Sequence, residues 1–236
     1  MARSRPRTAT ILSLLHILSL SALGFMFALP CWGGGLDLYA DARAAERAGK
    51  LTQAVDLYSR AMQVGDLSTL QLADIYYRRG SLRAYFGENN PGLGDFSKSI
   101  ELNPDLGQAY SLRGYLRGIS GQYESAERDY LTALDLAKHE TWENYLPWVL
   151  QHYADLWRRR GQFETALEYC QRALKAKEYA VVYFRRAWVY LDMGQLSQAR
   201  ADLATFEREM RRQEIPFSIF LPDEREAIAR LRAIPR

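Results

Sequence analysis

The sequence predicts an all-α fold: a solenoid of about five helix–turn–helix units, closed by a C-terminal capping helix and preceded by an N-terminal hydrophobic helix. Small residues recur in one register through uneven spacings of 38, 34, 40 and 33 residues. The three sets are Gly49, Gly87, Gly121, Gly161 and Gly194; Ala54, Gly92, Ala126, Ala166 and Ala199; and Ala42, Gly80, Gly114, Ala154 and Ala187. A register shared by three sets is typical of stacked helical pairs.

Residues 1–35 have the layout of a signal peptide or signal anchor. Arg3, Arg5 and Arg7 precede the segment from Thr8 to Leu29, which has no charged side chain. As a helix rising about 1.5 Å per residue, this segment can span a hydrocarbon core of roughly 30 Å, which favours an uncleaved anchor. Because basic residues stay in the cytoplasm, we expect a membrane-anchored protein with its repeats in a periplasm, lumen or exterior. Secretion after cleavage at the following glycines is the alternative.

Residues 36–213 form the predicted solenoid. Its units are approximately 36–68, 73–106, 107–140, 147–179 and 180–213. Each reads as a helix, a short turn and a second helix, because glycine ends a helix readily in the left-handed conformation. The small residues mark the places where two helix backbones approach closely, and Tyr58, Phe96 and Tyr130 fill the space beside them. Pro147 suits the first turn of the fourth unit, where its missing N–H is not needed.

Residues 214–236 form the predicted capping segment. Phe206 replaces a small residue that the four earlier units share. Those small residues are Ala61, Ser99, Ala133 and Ala173. A further closely packed unit would not fit against Phe206, so the solenoid is expected to end there. A helix from Pro222 to Ala233 is expected to cover the exposed end with Leu221, Ile228 and Leu231, as solenoids require.

The units resemble tetratricopeptide repeats. The third unit carries the resemblance best, with Tyr110, Gly114, Gly121, Tyr123, Ala126, Tyr130 and Ala133 on the family pattern. The second has Tyr76, Gly80, Phe96 and the closing Asn103-Pro104. The resemblance covers about residues 35 to 213 and implies a right-handed superhelix that binds a protein or peptide. It is specific for the fold and unspecific for the function.

Charge argues against nucleic acid as a partner. The formal net charge is +3, and the three arginines of the leader account for all of it, since 28 basic and 28 acidic residues remain in the rest of the chain. A neutral body with interleaved charges lacks the basic stripe on which nucleic-acid binding depends. Two cysteines provide no disulfide framework.

The sequence contains no pattern that predicts catalysis, a cofactor or a metal. His16, His139 and His152 have no cysteine at metal-ligand spacing. There is no glycine-rich phosphate loop, nucleophile elbow or dinucleotide fingerprint. Asp129 shares a helix with Glu127 and Asp135, and these acids are interpreted as solvating groups with i,i+4 support. We therefore expect a protein that is not an enzyme.

The family resemblance implies that the first helix of each unit lines a concave groove. The candidate partner-binding residues are Tyr39, Arg43, Tyr77, Ser81, Tyr85, Tyr115, Asp155, Arg159, Phe184 and Trp188. Aromatic rings with scattered arginines are typical of binding hot spots. We expect most of Tyr77, Tyr85, Tyr115 and Trp188 to be solvent-accessible, although a tyrosine on this face can instead pack against the preceding unit.

Chaperone-binding members of the family hold a C-terminal carboxylate with lysine and asparagine at set groove positions. Here Tyr39 and Arg43 occupy the first such pair. The resemblance therefore implies that this carboxylate clamp is absent. The leading hypothesis is a membrane-tethered adaptor that assists an envelope or lumenal complex. A self-associating structural protein and a regulatory module of a separately encoded enzyme are the alternatives.

Overall fold

The computed structural model describes residues 34–138, 145–214 and 220–234, and within them it contains eleven α-helices and no strand. In chain order these are α1 (Gly35–Arg47), α2 (Leu51–Val64), α3 (Thr69–Tyr85), α4 (Asn89–Leu102), α5 (Gly107–Ile119), α6 (Tyr123–Leu136), α7 (Tyr145–Arg159), α8 (Phe163–Ala176), α9 (Ala180–Asp192), α10 (Leu196–Arg212) and α11 (Pro222–Arg232). The first ten form five antiparallel pairs, each packed mainly within itself. The predicted all-α repeat fold is confirmed.

The predicted N-terminal hydrophobic helix, from Thr8 to Leu29, lies outside the described residues. The helices from Gly35 onward belong to one compact unit. In the part of the chain that the structure describes, no helix combines the length and the apolar character needed to span a bilayer. Membrane attachment therefore stays a prediction from the sequence.

Glycine turns and small crossing residues explain the pairs. The five predicted turn glycines all have left-handed backbones, with φ between 72° and 81°, a conformation that other residues adopt with strain. At the central crossing, a Cβ added to Gly114 would lie 3.2 Å from the Ala126 carbonyl oxygen and 3.3 Å from the Tyr130 ring. Ala126 is itself fully buried. The repeat of small residues is thus a steric requirement of close helix approach.

Buried arginine–aspartate pairs join the two helices of three units. Asp129 accepts hydrogen bonds from Arg113 Nη2 at 2.7 Å and Nε at 3.0 Å, and from Arg117 Nη1 at 2.7 Å. Arg79 with Asp95 and Arg186 with Asp202 repeat this two-pronged contact in the second and fifth units. The interpretation of Asp129 as a solvating group was wrong: only 3% of Asp129 is exposed. Its carboxylate holds α5 to α6.

The C-terminal helix covers the end of the solenoid, as predicted. Ala227, Ile228 and Leu231 on α11 are buried against Phe184 and Phe206. Leu221 was expected to join them, but it packs instead against the apolar cluster of the second and third units. The reason is that Leu221, directly before α11, lies beside α3 and α5, whereas Phe220 packs against Phe184 and Phe206. Leu221 therefore belongs to the groove.

Candidate protein-binding groove

The first helices of the units form one wall of a cavity. Its volume is about 230 Å³, and α3, α5, α7 and α9 contribute most of the lining. The lining residues are Tyr77, Ser81, Ala84, Tyr85, Leu112, Trp148, Gln151, His152, Tyr179, Val181, Arg185, Phe220, Leu221 and Glu224. We call the surface that these helices present to the cavity the groove. The residues Phe220, Leu221 and Glu224 close its other side.

Asp223 fastens the C-terminal segment to the middle of the groove. Its carboxylate oxygens accept hydrogen bonds from the Tyr115 hydroxyl at 2.9 Å. Arg159 Nη2 donates to the same carboxylate at 2.6 Å. Tyr115 comes from α5 and Arg159 from α7, so one side chain of α11 joins two units. Hydrogen bonds in which one or both partners are charged are stronger than hydrogen bonds between neutral groups.

Asp155 is the centre of an arginine network on α7 and α9. Arg158 Nε donates to Asp155 Oδ1 at 2.8 Å, and Arg159 Nε donates to Oδ2 at 2.7 Å. Arg185 Nη1 lies 4.0 Å from Oδ1. Burial alone would raise the pKa of Asp155, but the charges of these arginines outweigh that effect and hold its pKa below the ordinary range. Asp155 is therefore ionised and structural.

Arg185 anchors the other acidic residue of the C-terminal segment. Its guanidinium donates to Gln151 Oε1 and to Glu224 Oε1, and only 2% of the residue is exposed. Glu224 is also buried, and its second oxygen accepts a hydrogen bond from the Leu221 backbone at 2.7 Å. Burial raises the pKa of Glu224, while the charge of Arg185 opposes that rise. A fully buried pair of this kind depends on both partners being present.

Aromatic rings cover the arginines. The Arg158 guanidinium lies 3.8 Å from the centroid of the Trp188 ring, and that of Arg159 lies 5.6 Å from Tyr115. Such cation–π contacts stabilise a guanidinium by about 0.5–2 kcal/mol, depending on solvent exposure.

The predicted site residues fall into three groups. Tyr77, Ser81 and Tyr85 line the cavity. Tyr115, Asp155, Arg159, Phe184 and Trp188 belong to the network and apolar core beneath the C-terminal segment. Tyr39 and Arg43 lie outside the cavity lining, on α1, where the Tyr39 hydroxyl donates to Asp74 at 2.5 Å and Arg43 donates to the Tyr39 oxygen at 3.1 Å.

The accessibility expected of the groove aromatics was wrong for two of the four. Tyr115 is 1% exposed and Trp188 is 6% exposed, whereas Tyr77 and Tyr85 are partly exposed. The physical reason is the C-terminal segment, which covers the groove at the third to fifth units. The repeat pattern gave no sign of this contact because Asp223 and Glu224 lie outside the repeats. Acidic residues in a first helical turn are ordinary and do not by themselves indicate docking.

His152 should make the stability of the protein depend on pH. It is 5% exposed, lies edge-to-face with Tyr115 and Trp148, and its Nδ1 is buried with no partner among the described residues. Burial lowers its pKa well below 6.5, the charge of Arg185 lowers it further, and Asp155 opposes both. The unfolded chain therefore takes up a proton first as pH falls below about 6.5, and this favours unfolding.

We expect His152→Phe to remove that part of the pH dependence. Thermal or urea unfolding of the full-length protein should show the wild type losing stability relative to the variant, by up to about 2 kcal/mol at pH 5. The difference between the two proteins should be constant above about pH 7.5. Because Asp155 and Glu224 are present in both proteins, their contributions to the pH dependence of stability cancel when the two are compared at each pH. Parallel stability curves from pH 8 to pH 5 would contradict the prediction.

In the described part of the chain, no group of three or more His, Cys, Asp or Glu side chains is placed to hold a metal ion. Cys170 is a fully buried thiol on α8, and burial raises its pKa to about 12. A thiol of that kind is a packing group with little nucleophilic thiolate. What the groove offers is a mainly aromatic surface that includes Tyr77, Tyr85 and Trp148.

Several relatives share part of the sequence, and no family model matches it. Hsc70-interacting protein 1 of Drosophila melanogaster is 28% identical over 110 residues, or 47% of this chain and 28% of that protein. Human tetratricopeptide repeat protein 13 is 28% identical over 104 residues, or 44% and 11%. The uncharacterized protein MJ0572 of Methanocaldococcus jannaschii is 32% identical over 76 residues, or 32% and 88%. The chain thus spans under a third of the fly and human proteins.

The fold is similar to that of TTC0263, a thermophilic tetratricopeptide-repeat protein of Thermus thermophilus. The TM-score is 0.63 at 16% identity, and the match covers 84% of this chain and 98% of that one. At this low sequence identity the likeness shows the fold alone. The chain therefore has the fold of tetratricopeptide-repeat proteins, and part of its sequence is similar to human tetratricopeptide repeat protein 13.

Proposed function

We propose that this protein is a non-enzymatic scaffold that binds a segment of a partner protein in the groove. The observation that supports this most is the aromatic cavity beside Tyr77, Tyr85 and Trp148. At about 230 Å³ it is smaller than the roughly 300–1,000 Å³ of pockets that hold whole ligands. That size suits one large apolar side chain of a partner. The partial exposure of Tyr77 and Tyr85 leaves the wall formed by α3 open to such a chain.

The experiment is a capture of partners by the full-length protein from detergent-solubilised membranes. Tyr77→Ala should lose the principal partner, with affinity falling roughly thirtyfold if Tyr77 is a hot spot. Leu131→Ala is the matched control, because Leu131 is 54% exposed on the second helix of the third unit, away from the groove. Unchanged circular dichroism must accompany both results. Equal capture by the wild type and Tyr77→Ala would remove the groove from consideration and favour the second helices.

We also propose that the groove does not hold a chaperone tail by a carboxylate clamp. The fly relatives are named Hsc70-interacting proteins, so a chaperone-linked partner is the first class to test. The clamp positions here carry Tyr39 and Arg43, and both are engaged with Asp74. A chaperone tail peptide titrated by calorimetry should give no heat of binding. Micromolar binding that Arg43→Ala abolishes would overturn this.

Membrane tethering with the repeats on the non-cytoplasmic side remains part of the proposal. The support is the charge asymmetry around the uncharged segment Thr8 to Leu29. Reporter enzymes fused after residue 60 should be active only outside the cytoplasm. An active cytoplasmic fusion with a silent exported one would overturn the orientation.

Light scattering separates the adaptor from the self-associating alternative, which predicts a dimer or larger species.

A further inference from the structure

We propose that the groove recognises an acidic partner segment in which an apolar residue is followed by two carboxylates at the start of a helix. The protein's own residues Leu221, Asp223 and Glu224 have this chemistry and occupy the positions that such a segment would take. The C-terminal segment is therefore a built-in competitor. This inference rests on the proposed function and names the kind of partner that the groove binds.

The contacts of the segment carry the argument. Leu221 packs against the apolar cluster of the second and third units. Asp223 pairs with Tyr115 and Arg159, and Glu224 pairs with Arg185. Capping the end of the solenoid requires none of these contacts, because Ala227, Ile228 and Leu231 already cover Phe206. The acidic pair instead reaches the middle of the groove, where a bound segment would lie.

Charge complementarity identifies the ligand as acidic. On α7 and α9 the network contains three arginines, Arg158, Arg159 and Arg185, against two aspartates, Asp155 and Asp192. Three positive and two negative charges leave an excess of one positive charge without the C-terminal segment. A neutral or basic segment in the same place would leave Arg185 buried without its carboxylate, which is strongly unfavourable.

The segment fills the groove only in part. The cavity of about 230 Å³ lies between Phe220, Leu221 and the wall formed by Tyr77 and Tyr85. A partner with a larger apolar residue at the Leu221 position would fill more of this space and gain apolar burial. The Asp223 side chain is 32% exposed, so a carboxylate from outside can reach Arg159. A partner that supplies both carboxylates can take the place of Asp223 at Arg159 and of Glu224 at buried Arg185, so no cation is left unpaired.

The test uses the full-length protein and a fluorescent peptide of residues 220–228. A second peptide has asparagine and glutamine in place of the aspartate and glutamate at its fourth and fifth positions. The protein variant is Asp223→Asn, and the matched control is Glu226→Gln, which removes one charge from the same helix. Fluorescence anisotropy gives the affinity for each peptide, and circular dichroism confirms that each variant is folded.

Asp223→Asn should bind the acidic peptide at least about tenfold more tightly than the wild type, because a tethered competitor acts at millimolar effective concentration. Glu226→Gln should match the wild type, and the neutral peptide should bind none of them. Equal affinity of folded Asp223→Asn and wild type, or equal binding of both peptides, overturns the proposal. Dimerisation of Asp223→Asn without peptide binding also overturns it, since the occupant is then a second copy. If these tests fail while Tyr77→Ala still loses its partner, the inference about an acidic segment is refuted and the proposed function is not.

Discussion

Replacing Arg185 by Met should lower the free energy of unfolding by about 3–5 kcal/mol, the usual result of removing one member of a buried ion pair. Arg185 is 2% exposed and donates to Glu224 and Gln151, with Asp155 4.0 Å away. The substitution leaves the Glu224 carboxylate buried without a cation. Urea unfolding of the full-length protein, followed by circular dichroism, measures the loss.

Two further variants test whether the loss of stability in Arg185→Met comes from the unpaired Glu224 carboxylate. Arg185→Met combined with Glu224→Met should recover most of the loss, because apolar side chains of similar volume often replace a buried pair without cost. Arg172→Met is the exposed control: its guanidinium stacks on Tyr169 at 4.7 Å, and the change should cost less than about 1 kcal/mol. A double variant as unstable as Arg185→Met alone would show that α11 is not fastened through Glu224.

The repeat fold could be predicted because each of the five units has small residues at the point where its two helices cross. At Gly80, for example, a Cβ would lie 3.0 Å from the Phe96 ring, so a larger side chain would push α3 and α4 apart. The same register contains a second regularity, formed by charged residues. Arg79, Arg113 and Arg186 each pair with an aspartate 16 residues later. Tyr153 and Tyr169 occupy those positions in the fourth unit, with ring centroids 4.6 Å apart.

The candidate site could be predicted only in part, because the repeat pattern identifies a face of each helix but not what covers it. Tyr77, Ser81 and Tyr85 were expected in the groove and line its cavity. The sequence pattern did not indicate Arg185, Trp148 or Glu224, although all three line the same cavity. Nothing in a short run such as Leu-Pro-Asp-Glu-Arg distinguishes an acid that caps its own helix from one that crosses to another unit. That contact depends on tertiary packing between residues 108 positions apart, as between Tyr115 and Asp223.

Tyr115→Ala should lower the free energy of unfolding by about 3–5 kcal/mol, the range for removing a large buried aromatic side chain. The residue was first a candidate partner contact, but its ring is 1% exposed among His152, Arg159 and Arg185. The substitution therefore creates a cavity at the centre of the network and removes the hydroxyl that donates to Asp223. A loss of partner binding by this variant reports damage to the fold.

Tyr115→Phe separates the ring from the hydroxyl. It keeps the packing and removes only the hydrogen bond to Asp223, so it should cost about 1 kcal/mol. Tyr183→Ala is the control for tyrosine truncation on a first helix, because Tyr183 is partly exposed and hydrogen-bonded to exposed Glu178; it should cost less than about 1.5 kcal/mol. If Tyr115→Ala unfolds at the same urea concentration as the wild type, the ring is not buried in solution and α11 does not cover the groove. In that case Tyr115 is again a candidate partner contact, and a Tyr115→Ala variant that is folded but fails to bind would then identify the site.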